Sequence, residues 1–308
     1  MATIVLSQAF SFRDEQRWDW QISKASATEL DLFNTIYKQT FDGQFTYDAN
    51  GIVSGIATDS AFYINDKLVY SVTGMSANAT ILQAVVESDA DDIQIAYALA
   101  FAGDDSFTGS SGNDILIGYG GNDSINGGAG IDTVHYQGGR DRYTVTKTVN
   151  GVSVVDKQGV NGTDQLSAIE RVTFSDGSGL AFDGKGTGGQ AYRIYEAAFN
   201  RTPDNAGVGY WMSLMDKGVS LAVIASGFVA SAEFKTVYGT APTNAELVGK
   251  FYQNILNRPA EKAGFDFWVG ALDKGVPLAD VLAAISESGE NIDLSAAVIA
   301  AGFPFTFP

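Results

Sequence analysis

The chain has no cysteine and only one histidine, His135, in its 308 residues. The first absence excludes disulfide staples, thiolate nucleophiles and cysteine-ligated metals. The second leaves a single candidate imidazole base, and neither a Gly-x-Ser-x-Gly elbow nor a His-Glu-x-x-His pair is present. The glycines of the middle region do not match the Walker or dinucleotide fingerprints. Paired carboxylates are the remaining route to hydrolysis, but most of the clustered acids belong to the repeat described below, so no catalytic role is expected. Basic residues are scarce: 19 Lys and Arg stand against 36 Asp and Glu, a net charge of −17. A surface this acidic repels nucleic acid and anionic lipid and attracts cations. No run approaches the roughly 18 apolar residues of a membrane helix, so no membrane insertion is expected. The short apolar run Thr3–Leu6 has no basic residue before it and soon meets Arg13, Asp14 and Glu15, which does not read as a cleaved signal peptide.

What is present is a chain 45% hydrophobic and 18% charged, long enough for two or three globular domains. Up to about residue 102 apolar and polar positions alternate, as at Phe45–Thr46–Tyr47 and Phe62–Tyr63–Ile64, and Gly43, Asn50–Gly51 and Asn65–Asp66 punctuate them as hairpin turns. Two stretches, Ser76–Val86 and Asp91–Phe101, have helical apolar spacing, the first opening on Ser76 as cap. Residues 103–183 are rich in Gly, Asp and Asn and then return to strand-like pairs. Residues 184–190 read as a flexible linker, and 191–308 are helical in pattern. The expected fold is α+β and multidomain: an N-terminal β-rich domain with short helices, a glycine- and aspartate-rich centre with a β cap, and an all-α C-terminal domain.

The centre holds a nonapeptide repeat. Gly103, Gly112, Gly121 and Gly130 recur nine residues apart; Asp105, Asp114, Asp123 and Asp132 follow in phase, as do Phe107, Leu116, Ile125 and Val134. The best copy is Gly118–Tyr119–Gly120–Gly121–Asn122–Asp123–Ser124–Ile125–Asn126. Each unit reads as a tight turn followed by a very short strand whose one apolar residue contributes to a thin core. Such turns stack carbonyls and carboxylates at close range, which is costly unless a cation lies between them. Calcium suits the position, because it accepts six to eight oxygens in a forgiving geometry.

These residues resemble the repeats-in-toxin (RTX) family of bacterial secreted proteins. The resemblance implies a parallel β-roll in which two nonapeptides complete a turn and Ca2+ lies between turns on the same side. Asp105 would then pair with the Gly118–Asp123 loop and Asp114 with the Gly127–Asp132 loop. The four aspartates and the carbonyls of Gly103, Ser110, Gly112, Gly120, Gly121 and Gly130 would be ligands. Ser110 and Tyr119 depart from the pattern by replacing its second glycine. Residues 132–182 resemble the β-rich segment that often follows such repeats, with Asp164 and Asp176 either joining a peripheral site or, as the plainer alternative, forming turns.

A second repeat has a period of 57: Tyr195, Asn200, Arg201, Gly207, Trp211, Lys217 and Gly218 reappear at Tyr252, Asn257, Arg258, Gly264, Trp268, Lys274 and Gly275. Each unit reads as a helix ending near Asn-Arg, a Trp-bearing helix stopped by Lys-Gly, and a further helix. It resembles a helical domain of unknown function found in S-layer-like and other RTX-containing secreted proteins. Trp211 and Trp268 read most simply as core, with sugar binding by the Trp, Arg and Asp set as an alternative. The small apolar tail 296–308 fits both an uncleaved C-terminal signal for type I secretion and a packed element. Together the resemblances imply a secreted, calcium-dependent structural protein, extracellular or cell-surface, that forms a homo-oligomer or polymer in a layer, fibre or biofilm matrix. The alternative is a calcium-dependent adhesin or carbohydrate-binding module that recognises cell-surface polysaccharide.

Overall fold

The computed structural model describes residues 1–14, 20–87 and 93–308, and it divides into two compact units, Met1–Asp176 and Gly177–Pro308. It is an α+β protein with a large mixed sheet in the first unit and most of its helices in the second.

The first unit opens with β1 (Thr3–Leu6) and continues into a meander of β2 (Gln21–Ala25), β3 (Glu29–Phe33), β4 (Tyr37–Tyr47), β5 (Val53–Ile64) and β6 (Lys67–Thr73). The turn chemistry read from the sequence holds at two corners. Between β4 and β5 the Asp48 carboxylate accepts the Asn50 and Ile52 amides at 2.8 and 2.9 Å, and Gly51 takes φ +84°. Between β5 and β6, Asn65 and Asp66 both have positive φ, 49° and 60°, the tight hairpin turn that matches strand twist. Gly43 is not a turn. It sits inside β4 at a bulge, where a β-carbon would collide with the Ile56 carbonyl.

After β7 (Ala77–Asn78) come α1 (Ala79–Glu87) and α2 (Gln94–Ala100). The cap of α1 differs from expectation. Residues 77–78 are drawn into pairing with β5, and the Asn78 side chain, not Ser76, accepts the Ile81 amide at 3.1 Å. Asp91, expected to begin the second helix, lies outside the described residues.

Beyond α2 the strands shorten: β8 (Ser106–Thr108), β9 (Ile115–Leu116), β10 (Ser124–Asn126), β11 (Thr133–Tyr136), then the hairpin β12 (Tyr143–Thr148) and β13 (Gly151–Asp156), β14 (Thr163–Ser167) and β15 (Arg171–Phe174). They alternate between two parallel ladders. One runs β1–β8–β10–β14 and the other β9–β11–β15, with Ser11 bridging Ile115 at the start of the second. The register aligns Ile4, Phe107, Ile125 and Leu166 in one column, each at most 3% exposed. Leu116, Val134 and Val172 align in the other, fully buried, with Phe12 beside them. The inward apolar residue of every nonapeptide is therefore where its period places it. The ladders also extend past the repeat in both directions, on residues 2–12 and 164–174.

The second unit pairs β16 (Ser178–Ala181) antiparallel with β17 (Phe303–Thr306) and carries α3 (Thr187–Phe199), α4 (Asn205–Asp216), α5 (Leu221–Ala230), α6 (Ala232–Tyr238), α7 (Asn244–Ile255), α8 (Lys262–Asp273), α9 (Leu278–Ser286) and α10 (Gly289–Ala300). The 57-residue period is structural: α3 to α6 recur as α7 to α10. Asn200 and Asn257 end the first helix of each set in the left-handed region, φ 53° and 55°, and Gly218 and Gly275 follow the Trp-bearing helices at φ 89° and 88°. The stretch expected as a flexible linker is partly helix. Gly188 donates to the Asp183 carboxylate at 2.7 Å, and a β-carbon on Gly188 or Gly189 would strike Asp183 or the Gly184 carbonyl. These glycines serve close packing rather than flexibility. The tail is a packed strand in which Phe303 and Phe305 are buried. No single helix among the described residues is long and apolar enough to cross a membrane.

Candidate metal centre

The parallel ladders carry carboxylates in register at the turns entering their strands. On the β8–β10–β14 side the Ala2 amide donates to Asp105 Oδ1 at 2.5 Å, the Asp105 amide to Asp123 Oδ1 at 2.9 Å, and the Asp123 amide to Asp164 Oδ1 at 3.0 Å. On the β9–β11–β15 side the Phe10 amide donates to Asp114 Oδ1, the Asp114 amide to Asp132 Oδ1, and the Asp132 amide to Glu170 Oε2, each at 2.8 Å. The nine-residue period sets this arrangement. Two units, 18 residues, return the chain to the same side one tier on, so each aspartate caps the amide of its predecessor.

These amides satisfy only one oxygen of each carboxylate. Asp105, Asp114, Asp123, Asp132 and Asp164 are all buried, and Oδ2 of Asp105, Asp123 and Asp132 is buried with no hydrogen-bond partner. A buried ionised carboxylate without a partner costs several kcal/mol, so either a proton or a cation must compensate it. The titration behaviour follows. Burial raises Asp105 above the usual carboxylate range. Burial first, and then the neighbouring Asp164 charge, pushes Asp123 up to about 8. Burial pushes Asp132 up to about 7 and Asp164 to about 6.

Some of the expected carbonyl donors lie where one turn packs against the next. A β-carbon on Gly121, which has φ +110°, would strike the Gly103 carbonyl; one on Gly130, at φ +134°, would lie 2.5 Å from the Gly112 carbonyl oxygen. The Ser110 carbonyl faces Gly128 in the same way, and Gly120 lies 3.6 Å, by the same measure, from the Ala102 carbonyl oxygen. At Gly121, Gly128 and Gly130 glycine is required because a neighbouring turn's oxygen occupies the place of its side chain. Buried, partnerless Oδ2 atoms and closely packed carbonyl oxygens are hard donors, which fit calcium and do not fit a soft transition metal. Among the described residues no three His, Cys, Asp or Glu side chains converge as a metal cluster. A site between two such turns would draw mainly on backbone carbonyls.

The two departures from the nonapeptide pattern have visible roles. Ser110 donates through its amide and hydroxyl to Asp114 Oδ2, at 2.7 and 3.0 Å. Tyr119 adopts φ 65°, is buried, and reaches Gln94 through its hydroxyl at 2.7 Å. Asp164, for which turn formation was the plainer expectation, stands in the carboxylate ladder. Asp176 accepts the Arg140 amide at 2.8 Å and is a turn residue. Sequence reading missed Glu170. The available signal was the acid-x-apolar triplet at Asp164–Leu166 and Glu170–Val172, which repeats Asp123–Ile125, with the preceding glycine kept at Gly162 and missing before Glu170. His135 shares a hydrogen bond of 3.0 Å with Thr173 Oγ1 inside the strands, and burial lowers its pKa.

In the helical unit Trp211 and Trp268 are half-buried against the core. Arg201 pairs with Glu233 and Arg258 with Glu290, both at 2.6 Å, and each guanidinium lies over the tyrosine of its own repeat. Both arginines are thus committed to holding their repeat together.

Comparisons with known proteins agree with these two features. Residues 99–134 match the RTX calcium-binding nonapeptide repeat (4 copies), and residues 225–295 match a domain of unknown function, DUF4214. The nonapeptide repeats are calcium-binding and indicate a secreted bacterial protein. No curated protein matches the chain. Among solved structures, the crystal structure of extracellular lipase LipA from Serratia marcescens is 24% identical over 23% of this chain and 13% of the lipase, with a TM-score of 0.15. That score is too low to argue a common fold.

Proposed function

We propose that the two parallel ladders form a calcium-loaded β-roll and that the protein is a non-enzymatic structural component, secreted by a type I route, that folds outside the cell and self-assembles into a layer, fibre or matrix. The observation that carries this reading is the stack of buried, partnerless Oδ2 atoms of Asp105, Asp123 and Asp132. Asp105, Asp114, Asp123 and Asp132 would hold calcium together with the carbonyls of Gly103, Ser110, Gly112, Gly120, Gly121 and Gly130. The ion supplies positive charge and multiple oxygen coordination between turns. The chain's own contribution is to present oxygens at each tier and exclude water with the Ile4 and Leu116 columns. Calcium sites of the extracellular class have Kd of roughly 10⁻⁴ to 10⁻³ M, so they would stay empty in the cytosol. Binding to the folded state alone stabilises it by about 2.7 kcal/mol per site at a hundredfold excess over Kd. Calcium would also reduce a net charge of −17 that keeps copies apart.

The test is a calcium titration of chelator-treated protein followed by circular dichroism, light scattering and negative-stain microscopy. Gain of β-structure followed by ordered polymers supports the reading. Folding without assembly removes the assembly part, and an absence of bound calcium removes the whole.

One observation favours the alternative of a calcium-dependent adhesin or carbohydrate-binding module. Tyr210 and Phe267 occupy equivalent positions of the helical repeat, are 47% and 65% exposed, and pack edge-on against Trp211 and Trp268. Glycan-array binding by calcium-loaded monomer that disappears in Tyr210→Ala and Phe267→Ala without loss of helicity would favour it.

A further inference from the structure

We infer that the cation stack continues past the last nonapeptide on one side, where the turn Ala168–Ile169–Glu170 and Asp132 form a further calcium site. This rests on the calcium reading above but adds residues that lie outside the repeat.

The argument is one of equivalent tiers. A β-carbon placed on Gly109 would strike the Gly127 carbonyl oxygen and lie 2.9 Å from Asp114 Oδ2. One tier on, a β-carbon on Gly127 would strike the Ala168 carbonyl oxygen and lie 2.6 Å from Asp132 Oδ2. The Ala168 carbonyl therefore takes the position held below by that of Gly127. Two oxygens within 2.6 Å of one point are no more than about 5 Å apart, the span of two ligands on a calcium ion at roughly 2.3–2.6 Å from each. The carboxylates repeat as well. The Asp114 amide is capped by Asp132 and the Asp132 amide by Glu170, so Glu170 occupies the next rung despite its longer side chain.

The two tiers differ in how they stand without metal. In the lower one, Ser110 donates twice to Asp114 Oδ2. In the upper one Asp132 Oδ2 is buried and partnerless, with the Glu170 carboxylate hydrogen-bonded to the same residue's amide. A buried, unsatisfied carboxylate oxygen with a carbonyl oxygen close by and a second carboxylate on the same residue's amide calls for a cation. The opposite side of the ladder is closed differently at its last tier. There the Tyr136 hydroxyl donates to Asp164 Oδ2 at 2.8 Å and the Asn161 amide to the Tyr119 carbonyl. The outermost carboxylate on that side thus has a protein donor, although Asp123 Oδ2 below it, like Asp132 Oδ2, has none.

The experiment is native mass spectrometry of the full chain, stripped with chelator and titrated with calcium at pH 8, alongside isothermal titration. Glu170→Gln keeps an oxygen for the Asp132 amide but removes the charge. It should hold one calcium fewer than wild type, or bind one ion at least tenfold more weakly, with an unchanged circular dichroism spectrum at saturating calcium. Asp132→Asn should lose the same ion, and Asp66→Asn, in a distant surface turn, should lose none. Glu170→Asp, which withdraws the carboxylate by one methylene, should weaken that one site and spare the rest. If Glu170→Gln and Glu170→Asp both keep the wild-type count and affinities, the site is refuted while the repeat sites stand. If wild type itself binds no calcium, the parent reading fails instead.

Discussion

Calcium and protons should compete for the buried ladder carboxylates, so that calcium affinity rises with pH while the metal-free fold loses stability. Burial lifts Asp123 to about 8 and Asp132 to about 7 without metal. A calcium ion must displace those protons, and each pH unit below the folded pKa weakens binding by a factor of ten, about 1.4 kcal/mol. Between pH 9 and pH 6 the site that uses Asp123 should lose roughly 100-fold in affinity, and one that uses Asp132 roughly tenfold. For the metal-free fold the sign runs the other way. A carboxyl whose folded pKa is raised contributes stability that is full below the unfolded value, about 3.9, and is lost as pH rises through the folded value. For Asp123 that loss is on the order of 5 kcal/mol by pH 9. Chelated protein should therefore melt lower at pH 9 than at pH 6, whereas protein saturated with calcium, whose ladder carboxylates are ionised in both the folded and the unfolded state over this range, should change little. Isothermal titration at pH 6, 7, 8 and 9, in two buffers of different ionisation enthalpy, reads both affinity and protons released. Affinity that is flat with pH, with no proton release at pH 7, would refute the claim that these carboxylates are protonated when metal is absent.

Three further outcomes follow from packing. Leu116 is fully buried in a column one residue wide, so Leu116→Ala should cost about 2–5 kcal/mol in urea unfolding of calcium-loaded protein, and a cost under 1 kcal/mol would contradict the thin-core argument. In the helical unit Arg193 is 1% exposed and bonds Glu287 through two nitrogens at 2.8 and 2.7 Å. Glu287→Ala leaves that guanidinium uncompensated and should lower helical stability by about 3 kcal/mol, read by thermal denaturation at 222 nm. Thr243 and Glu246 form a capping box at the start of α7, and Thr243→Ala should cost about 1 kcal/mol in the same assay.

The sequence was legible where one short period governed it. Asp105 to Asp132 and Phe107 to Val134 could be assigned because a nine-residue step repeats turn, carboxylate and inward side chain together. The outer tiers were not. Thr3–Leu6 pairs in parallel with Ser106–Thr108 from a hundred residues away, and nothing local marks a strand whose partner is that distant. Glu170 lies on a rung but lacks the glycines around it, because the end of a stack has no further turn to admit. Gly184 to Gly189 misled for a related reason. Glycine marks close backbone approach as readily as flexibility, and composition does not separate the two. Ser76 was a sound cap in isolation and lost to Asn78 because strand pairing claimed residues 77–78 first.

The order of strands in the large sheet makes β1 a shared seam. One edge of Thr3–Leu6 bonds parallel to β8, and the other bonds antiparallel to β6, Lys67–Thr73. Chelation that loosens the carboxylate ladder would loosen the Ala2 amide from Asp105 and with it this seam. The loss would not stay in the calcium-binding segment. A released β1 bares the backbone of β6, a seven-residue strand able to recruit another chain through its free amides and carbonyls. The same short strand thus ties the metal-bound state to the closure of the meander's edge, and a protein starved of calcium would become adhesive at a place with no metal ligand of its own.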